Sequence, residues 1–161
     1  MSAVLKTESL VKDFGSTRAV DNLNLSLNAG TTTALLGGNG AGKTTTLSML
    51  LGLLIPTSGK IDIFDHNFVE DRYPALKRMN FSSPYVDLPQ RLTVRENLTV
   101  YGKLYGLKDV QSAVMEMVET FRLSEFIDRR IRRLSAGQKT RVSLAKALIN
   151  TPDFILLDEP T

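Results

Sequence analysis

The sequence predicts a mixed α/β domain, on three observations. Period-two alternation dominates the first third of the chain, a short β-branched and apolar run meets a glycine-rich loop at Gly37, and capped helices precede a four-residue apolar strand near the far end. Val4 to Phe14 reads as a first strand. Leu23, Leu25 and Leu27 alternate with Asn24, Ser26 and Asn28, the pattern of a strand with one buried face, and Asn28-Ala29-Gly30 supplies a turn. Thr31 to Leu36, bounded by glycines, is expected to be a strand buried on both faces. A helix should begin near Lys43 and stop before Pro56, after which Lys60 to Phe64 alternates again as a strand.

From Thr93 the texture changes. Thr93-Val94-Arg95-Glu96 is a capping box, in which hydroxyl and carboxylate reciprocally satisfy free amides of a helix start, and this helix should run to about Gly106. A second helix fits Asp109 to Phe121, with Val110, Val114, Met117 and Val118 on one face as core. Ser135-Ala136-Gly137-Gln138 repeats the capping-box pattern and opens a helix through Leu148, ended by Asn150-Thr151-Pro152. Phe154 to Leu157 is then expected as a central parallel strand.

Composition limits the function classes without naming one. With 161 residues, 42% hydrophobic and 23% charged, the chain is an ordinary globular sequence, and one domain is the default. The absence of Cys excludes disulfides and thiolate metal sites. A net charge of +3 falls well short of the dense basic stripe of a nucleic-acid binder. The longest apolar stretch, Leu47 to Ile55, is interrupted by Ser48 and Gly52 and is shorter than the roughly 20 residues that span a bilayer. The opening MSAVLKTESL carries no charged-then-apolar leader, so a cytosolic location is the simplest expectation.

The strongest chemical signal is Gly37-Gly38-Asn39-Gly40-Ala41-Gly42-Lys43-Thr44, which fits G-x-x-x-x-G-K-[ST] where a predicted strand meets a predicted helix. Glycines let the backbone close around phosphates with amides pointing inward, the helix N-terminus adds positive potential, Lys43 reaches β- and γ-phosphates, and Thr44 offers a hydroxyl to Mg²⁺. The strand at Phe154–Leu157 delivers two carboxylates: Asp158 is expected to hold Mg²⁺ and Glu159 to polarise the attacking water. Ser135 with Gly137 at a helix N-terminus suits an anion, with plain intramolecular capping as the bland alternative. The cluster Arg129, Arg130, Arg132 and Arg133 reads first as a solvated face and second as a site attracting phosphate or a lipid headgroup. His66, the one histidine, reads as a turn residue.

Taken in order, GGNGAGKTT, LSAGQ and FILLDEPT resemble the nucleotide-binding domain of an ATP-binding cassette (ABC) ATPase, with Ala136 in place of a glycine of the usual LSGGQ. The resemblance runs from the N-terminal strands to the last residue. It implies a P-loop NTPase fold of ABC type, with an antiparallel β subdomain and a helical subdomain at about residues 85–135. The implied domain is a single one over residues 1–161, incomplete at its C-terminal end. Implied catalytic residues are Glu159 and Lys43. ATP is expected on Phe14, through ring stacking, and on Gly37, Asn39, Gly40, Ala41, Gly42, Lys43, Thr44 and Thr45. Ser135, Gly137 and Gln138 are expected to reach the nucleotide of a second nucleotide-binding domain in a head-to-tail homo- or heterodimer, and Thr44 and Asp158 to hold Mg²⁺. Where the family places a Gln after the phosphate loop, the chain reads Asn80-Phe81-Ser82-Ser83-Pro84-Tyr85, and Ser83 or Tyr85 is the polar group there.

LTVRENLTVYGKLYGL is similar to the helical segment of exporter-type members. The implied function is ATP hydrolysis that energises a membrane transporter through separate membrane-spanning permease subunits, on the cytoplasmic face of the membrane. The alternative is a soluble ABC ATPase acting in translation or on nucleic acid. The segment from Thr93 to Leu134 is too short for the coiled coil of repair and chromosome members, so no nucleic-acid partner is expected. Because the chain stops after LLDEPT, the 161 residues alone are expected to turn over ATP weakly or not at all.

Overall fold

The computed structural model describes residues 3–83 and 88–158. The chain divides into two compact units, Met1–Arg78 and Met79–Thr161. The first is built on an antiparallel sheet of β1 (Ala3–Phe14), β2 (Thr17–Asn28), β3 (Ser58–Ile63) and β4 (His66–Asn67), in the order β2-β1-β3-β4. Two helices accompany it, α1 (Lys43–Leu50) and the single turn α2 (Tyr73–Leu76). Alternation makes this sheet. Leu5 stands opposite both Leu27 and Ile63, Thr7 opposite Leu25 and Ile61, and the buried side chains of Leu5, Leu10, Ile61 and Ile63 form its packed face with Met49 and Phe68. Leu23, Leu25 and Leu27 are half-buried while their neighbours are exposed, as the period-two reading requires.

A bulge at Ser9, whose φ is 47°, shifts the register of β1 against both neighbours. Gly59 fits into that bulge. A Cβ at Gly59, whose φ is +92°, would strike the carbonyl oxygens of Ser9 and Glu8. His66 does not lie in the turn but pairs with Ile63 in β4, and the turn itself is Phe64-Asp65, with φ of 52° and 62°. Positive φ at both central residues matches the right-handed twist of the flanking strands, and the Arg78 guanidinium lies 3.8 Å from the centroid of the Phe64 ring.

Thr31–Leu36 corrects the expectation of a doubly buried strand. The run belongs to neither sheet; Leu35 is 40% exposed and Leu36 88%. An apolar, β-branched run becomes a strand only where a neighbour completes its ladder hydrogen bonds, and this run pairs with neither β2 nor β4, the edges of the first unit's sheet.

The second unit packs three helices, α3 (Val94–Leu104), α4 (Val110–Thr120) and α5 (Ala136–Leu148), with a parallel pair, β5 (Met79–Ser82) and β6 (Phe154–Leu157). Val94, Leu98, Val114, Met117, Val118, Phe126 and Val142 form one buried cluster. The Met117 stripe is therefore core, as read. Both capping boxes form: Thr93 Oγ1 accepts from the Glu96 N–H at 3.1 Å while Glu96 Oε2 accepts from the Thr93 N–H at 2.7 Å, and Ser135 and Gln138 repeat the exchange at 3.3 and 2.9 Å. Asp109 caps α4 by accepting from the Ser112 N–H at 3.0 Å.

β6 is parallel, as expected, but is not sandwiched within its unit. It pairs with β5 in register Met79↔Phe154 to Ser82↔Leu157, and Leu157 is 39% exposed. β5 itself lacks a sequence signature, because its polar members are satisfied by distant partners. The Tyr105 hydroxyl donates to Asn80 Oδ1 at 3.1 Å, Asn80 Nδ2 donates to Asn150 Oδ1 at 2.9 Å, and the Ser82 and Ser143 hydroxyls bond at 3.0 Å.

Candidate functional site

The glycine-rich loop lies in the first unit and enters α1. Gly40 and Gly42 both have φ of 82°, a left-handed conformation costly for any side chain, and a Cβ at Gly42 would strike the Ala19 carbonyl oxygen. Turning there, the loop closes with the Ala41 N–H on the Gly38 carbonyl at 3.2 Å and the Thr46 N–H on the Gly42 carbonyl at 2.8 Å. Gly42 is the N-cap of α1, no side chain caps that end, and no acidic residue stands in its first turn. The helix therefore presents uncapped amides and the positive end of its dipole with no acidic side chain of its own first turn to offset them.

Lys43 completes the arrangement. Its Nζ donates to the carbonyls of Gly37 and Gly38 at 2.7 and 2.9 Å, which folds the ammonium back across the loop. Gly37, Asn39, Gly40, Ala41 and Thr44 are exposed, and Thr45 is half-buried at the start of α1. Such a concavity of amides closed by a cation suits a polyanion, phosphate above all. In the same unit, Phe14 ends β1 with 51% of its surface exposed, and the Lys12 ammonium stands 5.2 Å from its ring centroid. The ring is thus a surface platform and not part of the core.

In the second unit the ends of β5 and β6 lie side by side. The Asp158 N–H donates to the Ser82 carbonyl at 2.9 Å, and the buried Ser83 hydroxyl stands 3.5 Å from Asp158 Oδ2. Ser83 is thus the polar group brought to Asp158, while Glu159 and Tyr85 lie outside the described residues. Thr44 in the first unit offers a hydroxyl oxygen and Asp158 in the second a carboxylate, each by itself a hard donor of the kind Mg²⁺ prefers.

At α5 the side chains of Ser135 and Gln138 are engaged in their capping box, so intramolecular capping is realised. The box uses the lone pairs of the Ser135 hydroxyl and the carbonyl of the Gln138 amide. The hydroxyl proton and the amide NH₂ stay outside that exchange, and Gly137 has open space where a Cβ would stand. Behind them Lys146, 8% exposed, lies with its Nζ 4.9 Å from the Tyr101 ring centroid, and burial pulls its pKa below the ordinary lysine range. Neither this lysine nor the Tyr105–Asn80–Asn150 chain has a local sequence signal, since each depends on residues far apart in the chain.

Fold and loop together define a nucleotide-binding cassette, and the chain belongs to the ABC transporter family, whose model matches residues 20–161. Among its relatives is the bacitracin transport ATP-binding protein BcrA of Bacillus licheniformis, 40% identical over 161 residues, covering 100% of this chain and 52% of the relative. A Nod factor export ATP-binding protein I of Cupriavidus metallidurans is 39% identical, with 100% and 54% covered. The daunorubicin/doxorubicin resistance ATP-binding protein DrrA of Streptomyces peucetius is 36% identical, with 98% and 48% covered. The chain spans about half the length of these curated relatives. Among solved structures, a nucleotide-free ATP-binding cassette from an ABC transporter superposes with a TM-score of 0.84 at 27% identity, covering 99% of this chain and 70% of that one. A cassette in its ADP conformation gives 0.85 at 28% identity, with the same coverage.

Proposed function

We propose that this chain is the ATP-binding and hydrolysing part of an ABC exporter, and that it energises separate membrane-spanning permease subunits. The observation that carries the reading is the exposed loop Gly37–Gly42 with Lys43 folded across it at the uncapped start of α1. The transport, export and resistance names of its relatives support an exporter over a soluble ABC ATPase working in translation or on nucleic acid.

Each residue then has a role that its chemistry suits. The loop amides from Gly37 to Thr45 and the Lys43 ammonium cradle the β- and γ-phosphates, and Phe14 offers a face for adenine. Thr44 and Asp158 hold Mg²⁺, which when bound offsets charge on the phosphate oxygens. Glu159, next to Asp158, orients and deprotonates the attacking water. Ser135, Gly137 and Gln138 donate to the γ-phosphate held by a second nucleotide-binding domain in a head-to-tail homo- or heterodimer, and the pair acts on permease subunits at the cytoplasmic face of the membrane. Positioning and electrostatics supply the catalysis, because phosphoryl transfer asks little covalent chemistry of the protein.

The test separates binding from turnover. In the full-length protein, Lys43→Ala should weaken ATP binding by roughly 10- to 100-fold, the cost of losing a charged donor. Glu159→Gln should keep ATP bound and stop its hydrolysis. Normal hydrolysis by the Glu159 variant would remove it as the base. Recovery from detergent-solubilised membranes with ribosomes, and with no membrane protein, would sink the exporter assignment.

A further inference from the structure

The second unit carries an open basic cavity whose lining residues have no part in the ATP site proposed above. It measures about 740 Å³ and is lined by Thr93, Asp128, Arg129, Arg130 and Arg133. Its frame is fixed by backbone hydrogen bonds. The Val94 N–H donates to the Arg129 carbonyl at 3.1 Å and the Arg95 N–H to the Ile127 carbonyl at 2.9 Å, while the Ile131 N–H donates to Leu92 at 3.0 Å. Thr93 and Arg130 add an antiparallel bridge. Ile127, Ile131 and Leu134 are buried, so the arginines between them stand on an anchored segment rather than a free loop.

The positive charge around the cavity is only partly offset. Asp128 is already gripped by Arg95, whose Nε and Nη2 donate at 2.8 and 3.4 Å. Glu96 is committed to the capping box. Arg129, Arg130 and Arg133 form no ion pair among the described residues, although the Arg130 charge is felt at Glu96. Three guanidinium forks around one hollow match the oxygens of a phosphate, which they can grip two at a time. The volume lies inside the range of small-ligand sites, roughly 300–1,000 Å³, and exceeds what a single phosphate needs.

We infer that this cavity is a second anion site, belonging to a different unit from the glycine loop, which takes a terminal phosphate or pyrophosphate group on Arg129, Arg130 and Arg133. The group comes either from a soluble phosphorylated molecule or from the monoester headgroup of an anionic lipid.

Protection of arginine side chains from phenylglyoxal, mapped by peptide mass on the intact chain, tests the inference. Inorganic pyrophosphate is one probe, and vesicles of phosphatidylcholine with phosphatidic acid are the other, with phosphatidylglycerol vesicles of equal charge as comparison. Protection of Arg129, Arg130 and Arg133 by pyrophosphate alone identifies a soluble source; protection by phosphatidic acid alone identifies a lipid. The double variant Arg130→Ala/Arg133→Ala should lose at least about tenfold in affinity for the protecting probe, and the Arg130→Lys/Arg133→Lys pair should fall between, since the charge stays and the fork goes. Lys43→Ala should leave the protection unchanged, which keeps this result independent of ATP binding. No protection by either probe, protection lost with Lys43→Ala, or equal protection by phosphatidylglycerol and at exposed Arg122 would overturn the inference.

Discussion

At Gly42 two demands meet in one residue: the loop must turn with a left-handed φ, and the turn lies against the Ala19 carbonyl of β2. The spacing of glycines made the first demand legible, whereas the second depends on a strand more than twenty positions earlier. Gly42→Ala should therefore lower both stability and ATP affinity. Gly59→Ala, which drives a Cβ into the Ser9 bulge, should lower stability by about 3 kcal/mol in urea titration, a cost set by backbone strain and overpacking, and leave the loop alone. Phe14 is exposed enough to serve as a stacking face, and Phe14→Ala should weaken ATP by up to about tenfold while barely changing pyrophosphate binding at the loop.

Among elements, those with local signals were the readable ones. Each of α3 and α5 is announced by a capping box, and α4 by Asp109, because the residues that satisfy the first amides lie within three positions of the cap. Thr93→Ala should cost about 1 kcal/mol of stability, measured by urea unfolding. The same cap carries a pH dependence. Glu96 is held below its ordinary range, first by the backbone N–H of Thr93 and then by the Thr93 hydroxyl. A carboxyl lowered on folding adds stability that is whole above its unfolded pKa, here taken as 4.5, and is lost as pH falls through the lowered folded value. Glu96→Gln keeps the cap's acceptor but not its charge, so its stability difference from the parent should be full above the unfolded pKa and shrink to nothing as pH falls through the lowered folded one. Strands were legible where alternation marked one buried face, as at Leu23–Leu27, or where a short apolar run stood between turn signals, as at Phe154–Leu157. Met79–Ser82 hid because its alternation lasts only four residues, and its polar members Asn80 and Ser82 are held by the distant partners Asn150, Tyr105 and Ser143. Thr31–Leu36 misled for the converse reason, since composition favoured a strand that no ladder supports.

Across the whole molecule, the family and the chemical character of the loop could be read from three short motifs, while the basic cavity at Arg129–Arg133 needed the backbone frame that turns a charge run into a hollow. The parallel pairing of β5 with β6 has a further consequence, in time rather than in space. The strand ends at Ser83 and Asp158 are 75 positions apart, so forming the pair closes a long loop whose entropy must be met before its ladder is complete. The three helices lie inside that loop and are local in sequence, and their packing shortens the effective distance to be closed. Helices first and strands last is the expected order of assembly. Val142→Ala, in the helical cluster, should slow refolding, whereas Leu156→Ala, on the strand, should chiefly speed unfolding, and stopped-flow measurement of both limbs distinguishes the two.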